Sequence, residues 1–406
     1  MRSAGIRGDT RLAWRKRLFE ELARGSDVLP LDVLGIQFVV RWGRAVTWQQ
    51  RESMSMAWAR CASSREPLLP PLPMEPTDCR PFTASVASQA LKHNGGTFQL
   101  QAASFAELAE NLTSRLTVAA ILANAGDLVM LHACGLAERE TGAVVALVAK
   151  SGTGKTTAAS VLARSYGYVT DETVAIAPDG WVVPYPKPLS VKQDPGAPKG
   201  QVGPDELGLL PVPANPFIQS IVLLDRDETA APVLERVPLA DAVLALIPDS
   251  SSQGDVEEPL QSLCRLIDSV GGVWQVTYTE AADLPAALEP LFRSPLEKQP
   301  GTEREWEARA AEGAQPGHIP DGCIRRAAPK DAVAIGGDVL VMLDSEIVRL
   351  SGIGPAIWEA SANPVRLHQL AEEVGKAHGT PEGYRDAVAA ATAQLVAKSV
   401  LEQGRE

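Results

Sequence analysis

The run Ala143-Val-Val-Ala-Leu-Val148 is apolar at every position, as in a strand buried on both faces, and the patterns around it change period. Residues 104–125 read as a helix and Gly126–His132 as a strand entering the same core. Beyond the run, a helix is expected over Thr156–Arg164 and a strand over Tyr168–Thr170. A stretch rich in proline and glycine from Pro178 to Pro216 interrupts the pattern. It resumes with a strand over Ile218–Leu224, a helix over Leu260–Val270 and a strand over Val273–Tyr278. Strands and helices in alternation predict an α/β core.

The flanks read differently. Before the core, Ile36–Arg41 and Thr97–Gln101 look like strands, and Pro67, Pro70, Pro71, Pro73, Pro76 and Pro81 exclude regular structure between them. Leu12, Phe19 and Leu22 suggest a short amphipathic helix near the start. After the core, Glu297, Lys298, Glu303, Arg304, Glu305, Glu307 and Arg309 lie among prolines and glycines, as in an exposed linker. A compact tail follows. Val339, Val341 and Leu343 alternate, Ile347–Leu350 makes a second strand, and a short helix carries Ile357 and Trp358. Asn363-Pro364 reads as a helix start, with Leu367, Leu370, Ala371 and Val374 at i, i+3, i+4 and i+7. Thr380-Pro381 opens a last helix with Tyr384, Val388, Ala391 and Leu395 on one face. The expected division is an α+β accessory lobe over 1–115, an α/β core over 116–295, a linker over 296–321 and a small α+β domain over 322–406.

A chain of 406 residues exceeds the roughly 250–300 that one core organises, so several domains are expected. The net charge of −12 argues against a general partner of nucleic acid or anionic membranes. Cys61, Cys79, Cys134, Cys264 and Cys323 are odd in number and show no paired spacing, which fits a reducing cytoplasm. Arg2, Arg7, Arg11, Arg15, Lys16 and Arg17 precede no apolar stretch, so no signal peptide is expected. No run approaches the roughly 20 apolar residues of a membrane span.

The chemistry enters at Ala149-Lys-Ser-Gly-Thr-Gly-Lys-Thr156, directly after the apolar run. A strand, a glycine-rich turn and a helix start form a phosphate cradle. Ser151, Gly152, Thr153 and Gly154 would turn successive N–H groups toward an anion, and the helix opening at Lys155, Thr156 and Thr157 adds its positive end. Lys155 would place an ammonium on the outer phosphates, and the Thr156 hydroxyl would hold Mg²⁺. Ala149 stands where the motif usually has glycine. The ligand expected is a nucleoside triphosphate, ATP, with Mg²⁺.

An acidic partner is needed near those phosphates. Asp171 follows the Tyr168–Thr170 strand, sixteen positions after Lys155, and a β-α-β unit brings parallel strand ends to one edge. Asp225, at the end of Ile221-Val-Leu-Leu-Asp225, is the competitor. The short loop favours Asp171.

Together His132, the phosphate loop and Thr170-Asp-Glu172 resemble the catalytic domain of HPr kinase/phosphorylase and its bacterial relatives, including kinases of lasso peptides, over about residues 125–290. The resemblance implies that Asp171 is the base on an acceptor hydroxyl and that His132 lies near the γ-phosphate. Glu172 departs from the family's usual second Asp, which leaves open which carboxylate takes the proton and which faces Mg²⁺. Lys187 and Lys192, on a loop framed by prolines, are candidate phosphate clamps.

The tail resembles PqqD and related leader-peptide recognition elements over about residues 322–402. Val339–Asp344, Ile347–Leu350, Gly354–Trp358 and Leu367–Val374 carry the likeness, and a winged-helix α+β fold is implied. Such domains add an extended leader to a sheet edge. DNA binding is disfavoured because Glu372 and Glu373 offset Arg366 and Lys376. Leu350-Ser-Gly-Ile-Gly354 mimics a transporter-ATPase signature, but no strand ending in an acid follows it. The expectation is a cytoplasmic ATP- and Mg²⁺-dependent kinase of a Ser or Thr hydroxyl on a precursor peptide. A peptide-delivering adaptor and a kinase for a small hydroxyl compound are the alternatives. No nucleic-acid or membrane partner is expected, and the oligomeric state is left open, a homo-oligomer included.

Overall fold

The computed structural model describes residues 27–63, 82–92, 94–149, 154–227, 232–293, 304–309, 317–344 and 346–404. The chain forms two compact units. One comprises residues 1–235, 249–252 and 274–296, and the other residues 236–248, 253–273 and 297–406.

The first unit starts with strands β1 (Val28–Val33) and β2 (Ile36–Trp42), helix α1 (Trp48–Ala57), and strands β3 (Phe82–Ala87) and β4 (Thr97–Ala102). The four strands form one antiparallel sheet in chain order. Thr47 caps α1 reciprocally with Gln50, two polar residues at the spacing of a capping box. Helix α2 (Phe105–Ala123) is capped by Ser104, and its Leu108, Leu112, Leu116 and Ala120, four residues apart, are all fully buried.

The core follows with β5 (Val129–Leu131), β6 (Ala133–Ala137), β7 (Ala143–Val148), helix α3 (Lys155–Leu162), β8 (Gly167–Thr170) and β9 (Val174–Ile176). Next come β10 (Val182–Val183), β11 (Leu189–Val191), β12 (Gly200–Val202), β13 (Phe217–Arg226) and β14 (Val233–Val237). Helix α4 (Leu239–Leu246), β15 (Ser250–Ser251), helix α5 (Pro259–Ser269), β16 (Val273–Tyr278) and helix α6 (Leu284–Arg293) complete this part of the chain. Six strands form the central sheet in the order β14-β16-β13-β7-β6-β8. Strand β13 runs parallel to β7, whereas β6 is antiparallel to both β7 and β8. Strands β7 and β8 therefore point the same way, and their carboxyl ends meet one edge with β6 between them.

The second unit holds α4 and α5 together with β17 (Trp306–Ala308), β18 (Cys323–Arg326), β19 (Asp331–Ile335), β20 (Asp338–Leu343) and β21 (Glu346–Leu350). Helix α7 (Gly354–Ala360), β22 (Val365–Arg366), helices α8 (Leu367–His378) and α9 (Tyr384–Ala397), and β23 (Leu401–Gln403) follow. Its strands form a four-stranded sheet, β17-β19-β20-β21, and a three-stranded one, β22-β18-β23. Val339, Val341, Leu350, Ile357, Trp358, Leu370, Val374 and Val388 share its core.

Several expectations need revision. Gly126–His132 is not one strand: β5 belongs to a separate small sheet, β10-β9-β5-β15, and the chain passes into the central sheet after His132. Gly167 at the start of β8 serves close packing, since a Cβ there would lie 2.7 Å from the Pro211 carbonyl. Trp306–Ala308 is a strand inside the segment read as a linker. The tail has more strands than the two expected, because β18, β19, β22 and β23 are too short or too uniformly apolar to alternate visibly. Helix α8 opens at Leu367 and α9 at Tyr384, several residues after Pro364 and Pro381. Leu367 is 39% exposed and not a core position. The amphipathic helix and the proline bridge lie outside the described residues.

Candidate functional site

Helix α3 is the next element after β7, with Gly154 at φ 99° as its N-cap, a left-handed conformation that glycine adopts without Cβ strain. The first helical residue is Lys155, and its Nζ donates to the Ala149 carbonyl. Burial pulls its ammonium below the ordinary lysine range, and Asp249, Cys134 and Glu172 oppose that pull. Ser151, Gly152 and Thr153, the remaining residues expected to cradle phosphate, lie outside the described residues.

Asp171 follows β8 and is buried. The Thr156 hydroxyl donates to its Oδ2 at 3.4 Å and the Tyr168 hydroxyl to its Oδ1 at 2.9 Å. Lys187 Nζ lies 2.9 Å from the same Oδ1 and 3.2 Å from Glu172 Oε2, and it also donates to the Pro188 carbonyl at 3.1 Å. Glu172 keeps a third of its side chain exposed, against 3% for Asp171. The alternative acid, Asp225, is exposed at the end of β13 and accepts from Gln275 at 3.2 Å.

Lys187, a candidate phosphate clamp, is 2% exposed, with its charge turned to the carboxylate pair. Burial works to discharge it, yet Asp171 and Glu172 more than offset this and hold it above the usual lysine range. Lys192 is exposed. Burial and then Asp171 push Tyr168 well above the ordinary phenol range, so it stays a hydrogen-bond donor.

His132 sits between β5 and β6, where the chain changes sheets. Its backbone N–H donates to the Asp249 carbonyl at 2.6 Å. Its imidazole is held below the ordinary histidine range by burial and Lys155, against the pull of Glu172 and Asp249. The structure thus brings Lys155, Thr156, Asp171, Glu172 and His132 to one sheet edge, and Thr157 lies in the first turn of α3.

Two participants have no sequence signal. Asp249 precedes a serine run in a segment without periodicity, and Tyr168 reads as one more apolar strand residue until its buried hydroxyl requires a partner. Among the described residues, no group of three or more His, Cys, Asp and Glu is placed to hold a metal. A hard cation such as Mg²⁺ keeps waters and takes one or two protein oxygens, being held largely by substrate phosphates. Thr156 and Asp171 have that donor chemistry.

No protein-family model matches the chain. Nor does any curated protein sequence match it. Among solved structures the chain is similar to the HPr(Ser) kinase/phosphatase from Coxiella burnetii, at 14% identity over 40% of this chain and 93% of that one, with a TM-score of 0.21.

Proposed function

We propose that the first unit transfers the terminal phosphoryl group of ATP, with Mg²⁺, to a hydroxyl, and that the second unit captures the peptide bearing that hydroxyl. The observation that carries the reading is the Thr156–Asp171 hydrogen bond of 3.4 Å at the start of a helix that follows a buried strand. Helix α3 and Lys155 supply positive charge where phosphate oxygens gather more charge as the bond breaks. Mg²⁺ would neutralise those oxygens, with Thr156 and Asp171 as its protein contacts.

Asp171 has donors on both carboxylate oxygens, whereas Glu172 is part-exposed and held by Lys187 alone among the described contacts. That difference supports Asp171 on the metal side and Glu172 as the base. The acceptor oxygen bonds to the γ-phosphorus, its proton passes to Glu172, and the bond to the β,γ-bridging oxygen breaks as ADP leaves. His132, kept neutral near the phosphates, is suited to hydrogen-bond them without adding charge.

The acceptor proposed is a Ser or Thr of a ribosomally made precursor peptide whose leader adds as a strand to a sheet edge of the second unit. Tethering raises the local concentration of the acceptor, so a weak grip at the reacting hydroxyl suffices. The test is incubation with ATP, Mg²⁺ and each short peptide found encoded beside this chain. One added phosphoryl mass is expected, and Lys155→Ala should slow it on the order of 10²–10³-fold. Unchanged turnover in that variant would remove the phosphate assignment.

A further inference from the structure

Strand β17 is attached to its sheet the way a peptide ligand is. It pairs antiparallel along the outer side of β19 through Trp306↔Ile335, Glu307↔Ala334 and Ala308↔Val333, and the Arg309 N–H extends the ladder to the Ala332 carbonyl at 2.9 Å. Only Trp306, 1% exposed, is buried; Glu307 and Ala308 face solvent. The Trp306 indole N–H donates to Asp268 Oδ2 at 2.8 Å, and the Arg304 guanidinium lies 4.1 Å over the ring. Arg309 Nε lies 3.4 Å from Glu359. A strand integral to a core buries alternate residues, but Ala308 shares the face of Trp306 and is exposed. Main-chain pairing plus one aromatic anchor is instead the mode of peptides bound at sheet edges. A cavity of about 430 Å³ opens beside it, lined in part by Trp306, Arg309, Asp338, Pro355, Glu359 and His378.

We infer that the outer edge of β19 docks an extended peptide carrying a tryptophan and, three residues later, an arginine, and that Arg304–Arg309 is the resident occupant such a peptide displaces. The inference rests on the reading of the second unit as a peptide binder. Asp268 selects an indole N–H, and Glu359 selects the basic residue. A covalently attached occupant acts at an effective concentration on the order of millimolar, so a free peptide competes poorly until the resident is weakened.

The test uses a fluorescent synthetic peptide spanning residues 302–311, titrated into the full-length wild type, Trp306→Ala and Arg309→Pro, with anisotropy as readout. The second variant removes the N–H that bonds Ala332 and leaves the tryptophan in place. Both variants should bind the peptide at least about tenfold more tightly than wild type, and a peptide with alanine for tryptophan should not bind. Equal binding by wild type would mean the edge is not occupied and would overturn the inference. So would folded variants that bind nothing, or loss of folding in both, since β17 would then be structural. Dimers formed on weakening β17, without peptide binding, would make a second copy the occupant and equally reject it. Phosphoryl transfer to the precursor, assayed on the same preparations, reports separately on the parent reading.

Discussion

Lys187 Nζ lies 2.9 Å from Asp171 Oδ1, with both side chains almost fully buried. Taking two charges out of water is costly, and the pair is tolerable because each has further partners: Tyr168 and Thr156 on Asp171, Glu172 and the Pro188 carbonyl on Lys187. Removing one member leaves the other uncompensated. Lys187→Met should therefore destabilise the first unit by about 3–5 kcal/mol, read from urea midpoints at constant m.

The same pair sets a pH window. Because Lys187 is held above its ordinary value, its contribution is complete below the unfolded lysine pKa of about 10.4 and is lost as pH rises through the folded value. The stability gap between wild type and Lys187→Met should stay constant through neutral pH and shrink only in strongly alkaline buffer. A gap that closes near pH 8 would mean that the lysine is not charged in the fold.

His132 predicts the opposite slope. Its folded value is lowered, so the unfolded chain takes up the proton first. Stability should fall as pH drops below about 6.5 and level off once the folded histidine protonates as well. His132→Gln should flatten that segment of the curve, and an unchanged slope would assign it to other groups.

Asp171 and Glu172 are separable by kinetics. Glu172→Gln keeps the shape and removes the proton acceptor, so turnover should fall about 10²–10⁴-fold with nucleotide affinity unchanged. Asp171→Asn should instead weaken Mg²⁺-dependent nucleotide binding, measured calorimetrically with and without the ion. If Asp171→Asn alone abolishes turnover at saturating Mg·ATP, the two roles are reversed.

The core of the site was legible where one residue type has one physical use. Gly154, Lys155 and Thr156 after an all-apolar strand announce themselves, and the short loop back to Asp171 follows from chain reach. Lys187 was not, because prolines around a lysine look the same whether the cation faces water or a buried acid. Of the core elements that were read, most lie within a few residues, as with Phe217–Arg226 for Ile218–Leu224, whereas Gly126–His132 was misjudged and β6, β14, α4 and α6 were not anticipated. The membership of α4 and α5 in the second unit was not readable, since it depends on contacts with residues 71 positions later for α5 and 108 later for α4.

Helix α5 has Glu258 at its N-cap in a left-handed conformation, φ 48°, with no side-chain cap of its own. Asp331 of β19 supplies the cap: its Oδ2 accepts from the backbone N–H of Leu260 at 2.8 Å and of Gln261 at 3.0 Å, and its Oδ1 accepts from Gln261 Nε2 at 2.8 Å. A buried carboxylate at a helix start satisfies orphan donors and meets the positive helix end. Asp331→Ala strands those donors and should cost about 1–2 kcal/mol, within the range of lost caps. Arg349 likewise holds Asp241 of α4 at 2.7 Å, on an exposed pair expected to add little. Truncation after residue 296 removes β19 altogether and uncovers Leu260, Leu263, Cys264 and Ile267, all buried in the intact chain. The truncated protein should bind hydrophobic dye and aggregate, whereas a cut that also removed residues 236–273 would break the central sheet at β16. The core is therefore not separable from the tail by one cut. A monomeric, dye-negative 1–296 fragment with native thermal stability would refute that.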